Sequence, residues 1–104
     1  MKKIKLMFDY ECYPIWIYKE SGELENNALP FELASNNIIK SLLEDLQKQY
    51  ENLFINTATM FEYRGFQSQS IKEEFQQSIN NVVSLMREAL GNNYIIEVAD
   101  LYGK

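Results

Sequence analysis

A chain of 104 residues is long enough for one two-layer core and too short for two, so we expect residues 1–104 to form a single domain. Hydrophobic residues make up 46% and charged residues 24% of the chain. These values exclude wholesale disorder, and the absence of an apolar run near roughly 20 residues argues against a membrane span. The net charge of −5 opposes direct binding to nucleic acid, because phosphates repel an acidic surface.

The N-terminal third alternates with a period of two, which predicts a β-meander. Residues 3–8 place Ile4, Leu6 and Phe8 on one face of a first strand. Residues 15–18 form a second strand, and Gly22 supplies the turn to a short third strand near residues 23–25. The second strand has an aliphatic and an aromatic face, and the pattern leaves open which one is buried: Ile15 and Ile17, or Trp16 and Tyr18.

From about Ser35 the apolar period changes to 3.6, which predicts a first long helix after a possible helical turn at Pro30. Ser35, Asn36 and Asn37 can all cap this helix, so its start is uncertain by a residue or two. Its apolar stripe comprises Ile38, Ile39, Leu42, Leu43, Leu46, Tyr50 and Leu53.

A second long helix is predicted to start at a capping box formed by Ser70 and Glu73 and to end at Gly91. A closing strand over residues 94–98 follows, and residues 100–104 resemble a frayed tail. The stripe of the second helix comprises Ile71, Phe75, Ile79, Val82, Val83, Met86 and Leu90.

These elements predict the order β-β-(β)-α-α-β. We therefore expect an α+β sandwich of two layers, with a mainly antiparallel sheet of three to four strands and both helices on one face. Residues 53–69 fit either an edge strand near Phe61 or an ordered loop packed by phenylalanines, and the pattern leaves both open.

The chain lacks the usual equipment of an enzyme. It has no histidine, and the acids Asp9 and Glu11 oppose thiolate formation at Cys12. Its four glycines are too dispersed for a nucleotide-binding loop, and no acidic run matches an EF-hand. We therefore predict no catalytic residue, no cofactor and no metal, although Asp9 and Glu11 leave a minor alternative of carboxylate catalysis.

Residues 8–18 concentrate five aromatic side chains and two acids, a combination suited to docking on a basic protein. Residues 9–62 carry ten acidic residues against three lysines, a net −7. The alternative is that each ring belongs to the core and the acids are merely solvated. The predicted partner-binding residues are the anchors Tyr10, Tyr13, Trp16 and Tyr18, with the acids Asp9, Glu11, Glu20, Glu23 and Glu25 around them; Glu44, Asp45 and Glu51 form a second candidate surface.

Three segments resemble small bacterial immunity proteins of contact-dependent growth inhibition and other polymorphic toxin systems. They are residues 2–16 (KKIKLMFDYECYPIW), residues 62–66 (EYRGF) and residues 92–97 (NNYIIE). The resemblance implies a cytosolic protein that binds the C-terminal toxin domain of its cognate effector, commonly a nuclease, and blocks it without catalysis.

A lone cysteine and the lack of a signal-peptide pattern agree with the cytoplasm. The main alternative is an adaptor or regulatory subunit that uses the same acidic and aromatic surface. The sequence leaves homo-oligomerisation open.

Overall fold

The central strands of the main sheet come from the alternating N-terminal third, in a computed structural model that describes residues 1–99. The strands β1 (Lys2–Leu6), β2 (Ile15–Tyr18), β3 (Leu24–Asn26) and the closing strand (Tyr94–Val98) form one four-stranded sheet. Its spatial order is β3, β2, β1, closing strand. The predicted tail over residues 100–104 lies outside the described residues.

The register of this sheet decides which side chains are buried. Ile4 lies opposite Ile17 in an antiparallel ladder and opposite Ile96 in a parallel one. The aliphatic face of β2 is the buried one, with Ile15 0% and Ile17 5% exposed. The sheet is thus mixed, with two antiparallel ladders and one parallel ladder.

Two long helices pack on the aliphatic face of the sheet. The helix α1 spans Asn37–Glu51 and follows a 3₁₀ turn at Phe31–Leu33, and α2 spans Gln69–Leu90. Their buried side chains join those of β1 and β2 in one core cluster. The predicted α+β architecture is therefore confirmed.

The predicted capping box at Ser70 is wrong. The Ser68 hydroxyl accepts a hydrogen bond from the Ile71 amide at 3.1 Å, so α2 begins two residues earlier and Ser70 lies in its first turn. In α1 the cap is Asn36, whose side-chain oxygen accepts from the Ile39 amide at 3.1 Å. At the other end of α2, Gly91 has a positive φ of 59°, which favours glycine, but its ψ of −130° lies outside the left-handed helical conformation that was predicted.

Two residues of the predicted stripes are not in the core. Ile38 is 69% exposed because it lies about 100° around the helix from the buried Ile39. Ile71 is 44% exposed in the first turn of α2. The stripes are therefore narrower at their N-terminal ends than the sequence indicates.

Residues 53–69 contain a β-hairpin that the predicted element order does not include. It consists of β4 (Phe54–Asn56) and β5 (Phe61–Tyr63), and the closing strand is therefore β6. Within residues 1–99 the hairpin forms its own two-stranded sheet, separate from the main sheet. The Leu53 carbonyl accepts hydrogen bonds from the amides of Arg64 and Gly65, which closes the base of the hairpin.

Candidate functional site

The loop between β1 and β2 is held in place by the C-terminal end of α1. The Gln47 side-chain amide donates to the Asp9 carbonyl at 2.9 Å, and the Glu51 carboxylate accepts from the Glu11 amide at 2.8 Å. Glu11 has a positive φ of 59°, which is an unfavourable conformation for a residue other than glycine. Such conformations persist where surrounding contacts enforce them, and they concentrate at functional sites.

Tyr10 connects this loop to the β4–β5 hairpin. Its ring makes edge contacts with Phe54 and Phe61, at centroid distances of 5.4 and 4.8 Å. Its hydroxyl accepts a hydrogen bond from the Asn56 side-chain amide at 3.2 Å. The loop and the hairpin thus form one continuous surface.

We call this surface the hairpin patch, and we define it by the four rings of Tyr10, Phe54, Phe61 and Tyr63. The register pairs Phe54 with Tyr63 and Asn56 with Phe61, which places their side chains on one face of the hairpin. Phe61 stacks on Phe54 at 5.2 Å and yet remains 57% exposed. The patch is therefore ordered and open to solvent.

A chain of ring contacts anchors the patch to the core. Phe54 contacts Tyr50 at 5.3 Å, Tyr50 stacks on Phe8 at 5.4 Å, and Phe8 contacts the buried Phe75 of α2 at 5.4 Å. Aromatic pairs at these distances add stability beyond the area that they bury. The patch is thus rigidly connected to the sheet and to both helices.

Tyr13 is turned toward the core. Its ring packs against the core cluster, and its hydroxyl is buried without a hydrogen-bond partner among the described residues. Burial, and secondarily the charge of Glu44, raise the pKa of Tyr13 to about 12. The Asn27 side chain holds this segment by donating to the carbonyls of Tyr13 and Ile15 and by accepting from the Tyr13 amide.

Trp16 and Tyr18 lie on the opposite face of the main sheet, which the helices leave uncovered. The Trp16 indole donates to the Met7 carbonyl at 2.9 Å. The Lys3 ammonium lies 5.7 Å from the centre of the Tyr18 ring and pairs with Glu97 at 3.2 Å. The four predicted anchors are therefore divided among three places in the fold.

The predicted binding acids at the β2–β3 turn and in β3, Glu20, Glu23 and Glu25, already have partners. Glu25 pairs with the Lys2 ammonium at 2.9 Å, and Glu20 accepts from the amino group of Met1. Glu23 accepts from the Ser21 hydroxyl at 3.3 Å. Exposed pairs of this kind are weak, so these acids remain able to exchange partners.

The residues of the second candidate surface on α1 do not all face the same neighbours. Glu44 and Asp45 are exposed, and Asp45 accepts from the Gln49 side chain at 2.7 Å. Glu51, the last residue of α1, instead contacts the loop that carries Asp9 and Glu11. The structure thus joins one member of the second candidate surface to the first.

Negative charge accumulates at the loop. Partial burial, followed by the charges of Asp9, Glu11 and Glu51, raises the pKa of the Cys12 thiol. Burial and then Asp9 raise the pKa of Tyr50. All three carboxylates therefore lie near Cys12, and Asp9 also lies near Tyr50, which contacts Phe54 of the hairpin patch.

Within residues 1–99, no cluster of three or more histidine, cysteine, aspartate or glutamate side chains is arranged to hold a metal ion. None of the helices in this range combines the length and the apolar character that crossing a bilayer requires.

The contacts of Tyr63 and Gln47 were not predicted, and for Phe61 the pattern left an edge strand and a packed loop both open. Their convergence with Tyr10 depends on contacts between residues more than 30 positions apart in the chain. The aromatic alternation at Phe61 and Tyr63 was the one local signal for this surface.

A rigid α+β scaffold that presents carboxylates beside exposed aromatic rings has the features of a protein-binding domain. Comparison with known families defines it further. The family described as Serratia CdiI immunity protein-like matches residues 2–101, nearly the whole chain, and the chain belongs to this family. The resemblance to immunity proteins of contact-dependent growth inhibition is thereby confirmed. No curated protein matches the sequence.

Proposed function

We propose that this protein neutralises a cognate toxin domain by binding it, and that the toxin is a basic nuclease. Membership of an immunity-protein family supports the toxin as partner. The assignment of a basic nuclease rests on one observation. Asp9 and Glu11 of the β1–β2 loop, which we call the acidic loop, lie together with Glu51 of α1 beside exposed rings.

Charge supports a nuclease as the target. An enzyme that cleaves nucleic acid needs a cationic groove to hold phosphates. An immunity protein whose residues 9–62 carry a net −7 is suited to occupy such a groove or the surface next to it. In this proposal inhibition comes from occupancy, without catalysis, and it takes place in the cytoplasm.

The predicted partner-binding residues have unequal places in this proposal. Asp9, Tyr10 and Glu11 form the primary contact, because α1 orders their loop and their side chains adjoin an exposed surface. The remaining predicted residues have a peripheral role in this proposal. Tyr13 packs against the core, and Trp16 and Tyr18 lie on the uncovered sheet face. Glu20, Glu23 and Glu25 lie at the β2–β3 turn and in β3.

A nuclease assay tests this proposal. The toxin domain encoded beside this chain is purified, and its cleavage of RNA and DNA is followed while the immunity protein is titrated. We expect cleavage to stop at one equivalent and the two proteins to co-elute as a complex. A toxin domain from an unrelated system, assayed in parallel, should keep its activity.

Two results would refute the proposal. If the cognate toxin cleaves neither nucleic acid, the nuclease assignment is wrong. If cleavage continues with the immunity protein in excess, neutralisation by direct binding is wrong.

A further inference from the structure

The β4–β5 hairpin exposes large apolar side chains. Phe61, Tyr63 and Met60 are about half exposed, at 57%, 47% and 47%. On its inner side, the Phe61 ring contacts Tyr10, and the Tyr63 ring contacts Phe54. The outer side of the Phe61 ring faces solvent, and exposed apolar patches of this kind mark interaction surfaces.

The patch is also strongly polarised in charge. The two segments that build it, residues 6–18 and residues 49–63, contain no lysine or arginine. They contain four acids, Asp9, Glu11, Glu51 and Glu62. The first three gather at the loop beside Tyr10, and Glu62 points to the other face of β5, because it pairs with Ile55.

We propose that the hairpin patch is the docking surface for an arginine-bearing, cationic face of the toxin. The exposed ring of Phe61 suits a guanidinium group, which stacks on aromatic rings. The carboxylates of Asp9 and Glu11 supply the acceptors that such a group requires at its edge. This inference rests on the proposed function and deepens it, because the hairpin lies outside the predicted partner-binding residues.

The geometry favours this surface over the uncovered sheet face. On the sheet face, Lys3 already covers the Tyr18 ring and neutralises Glu97. At the hairpin patch, Tyr10 makes its polar contact with an amide, Asn56, and the nearby loop acids gain no salt bridge from lysine or arginine among the described residues. A cationic partner therefore finds unneutralised charge at the hairpin patch.

Matched phenylalanine variants test this inference. Binding of the toxin domain is measured by calorimetry for Phe61→Ala and for Phe31→Ala, which removes a ring that is 90% exposed on the 3₁₀ turn. We expect Phe61→Ala to raise Kd by about tenfold or more, as for an aromatic anchor, and Phe31→Ala to leave Kd within about twofold. Equal effects of the two substitutions would overturn the inference.

A second pair of variants protects the test against misfolding of the hairpin. Glu11→Gln removes a charge without shortening the side chain, and Glu88→Gln makes the same change at an exposed position of α2. We expect Glu11→Gln to slow association several-fold and Glu88→Gln to have no effect. Indistinguishable association rates would overturn the inference.

The outcome for the unchanged protein separates this inference from the proposed function. If the unchanged protein inhibits the toxin and the hairpin variants bind as tightly, the docking surface is wrong and the proposed function stands. If the unchanged protein fails to bind the toxin, both are wrong.

Discussion

Tyr94 and Glu32 connect the closing strand to the 3₁₀ turn. The Tyr94 hydroxyl donates to the Glu32 carboxylate at 2.8 Å. Burial is the first cause that raises the pKa of Tyr94, to about 12, and the hydrogen bond and charge of Glu32 and the charge of Glu25 add to it. The folded protein therefore favours the neutral phenol more than the unfolded chain does.

This shift predicts a loss of stability at alkaline pH. An unfolded tyrosine titrates near pH 10, so the contribution of Tyr94 is complete below about pH 10 and declines as pH rises toward 12. Urea unfolding at pH 8 to 11 should show that Tyr94→Phe has a shallower decline in the free energy of unfolding than the unchanged protein. Parallel declines of the two proteins would contradict this prediction.

At the same scale, the sequence predicted which face of a strand a side chain occupies better than what surrounds that side chain in the fold. The alternation correctly placed Ile15 and Ile17 on one face and Trp16 and Tyr18 on the other. Tyr13 was predicted as an anchor, but its ring packs against the core cluster, and Asn27, 14 positions away, holds its backbone. Local periodicity carries no information about such a partner.

At the scale of elements, the two helices show where a local rule holds and where it fails. The 3.6-residue period located both helices because the buried stripe is a property of the helix itself. The cap of α2 was misplaced because Glu73 completes a capping-box pattern with Ser70, whereas the hydroxyl that accepts the Ile71 amide belongs to Ser68, which lacks that pattern.

This cap gives a matched pair of variants. Ser68→Ala should lower the free energy of unfolding by about 1 kcal/mol, because it leaves the Ile71 amide without its acceptor. Ser70→Ala should change it by less than about 0.5 kcal/mol, since alanine is a good helix former inside the first turn. Denaturant unfolding measures both, and a larger loss for Ser70→Ala would contradict the assignment.

The β4–β5 hairpin is the element that the sequence could not specify. Its turn, residues 57–60, lacks the Asn-Gly or Asp-Gly pair that signals a tight hairpin, and its strands are three residues long. An isolated two-stranded hairpin is marginal in water. Here the rings of Tyr10 and Tyr50 support it, and both come from other elements.

At the scale of the whole molecule, the fold separates the core from the proposed binding surface. The sheet, α1 and α2 share one aliphatic core, whereas the acidic loop and the hairpin patch meet at its edge. The resemblance predicted the immunity family that the comparison confirms. The position of the proposed binding surface required the assembled structure, because two separate segments build it.

The central claim is that opposite charge brings the immunity protein to its toxin, and the salt dependence of the association rate tests it most directly. Stopped-flow mixing with the cognate toxin domain is repeated from about 0.01 to about 1 M NaCl, over which the Debye length contracts from about 30 to about 3 Å. We expect the association rate constant to fall at least about tenfold, while the dissociation rate constant changes much less. An association rate that is constant or rises with salt would contradict the claim.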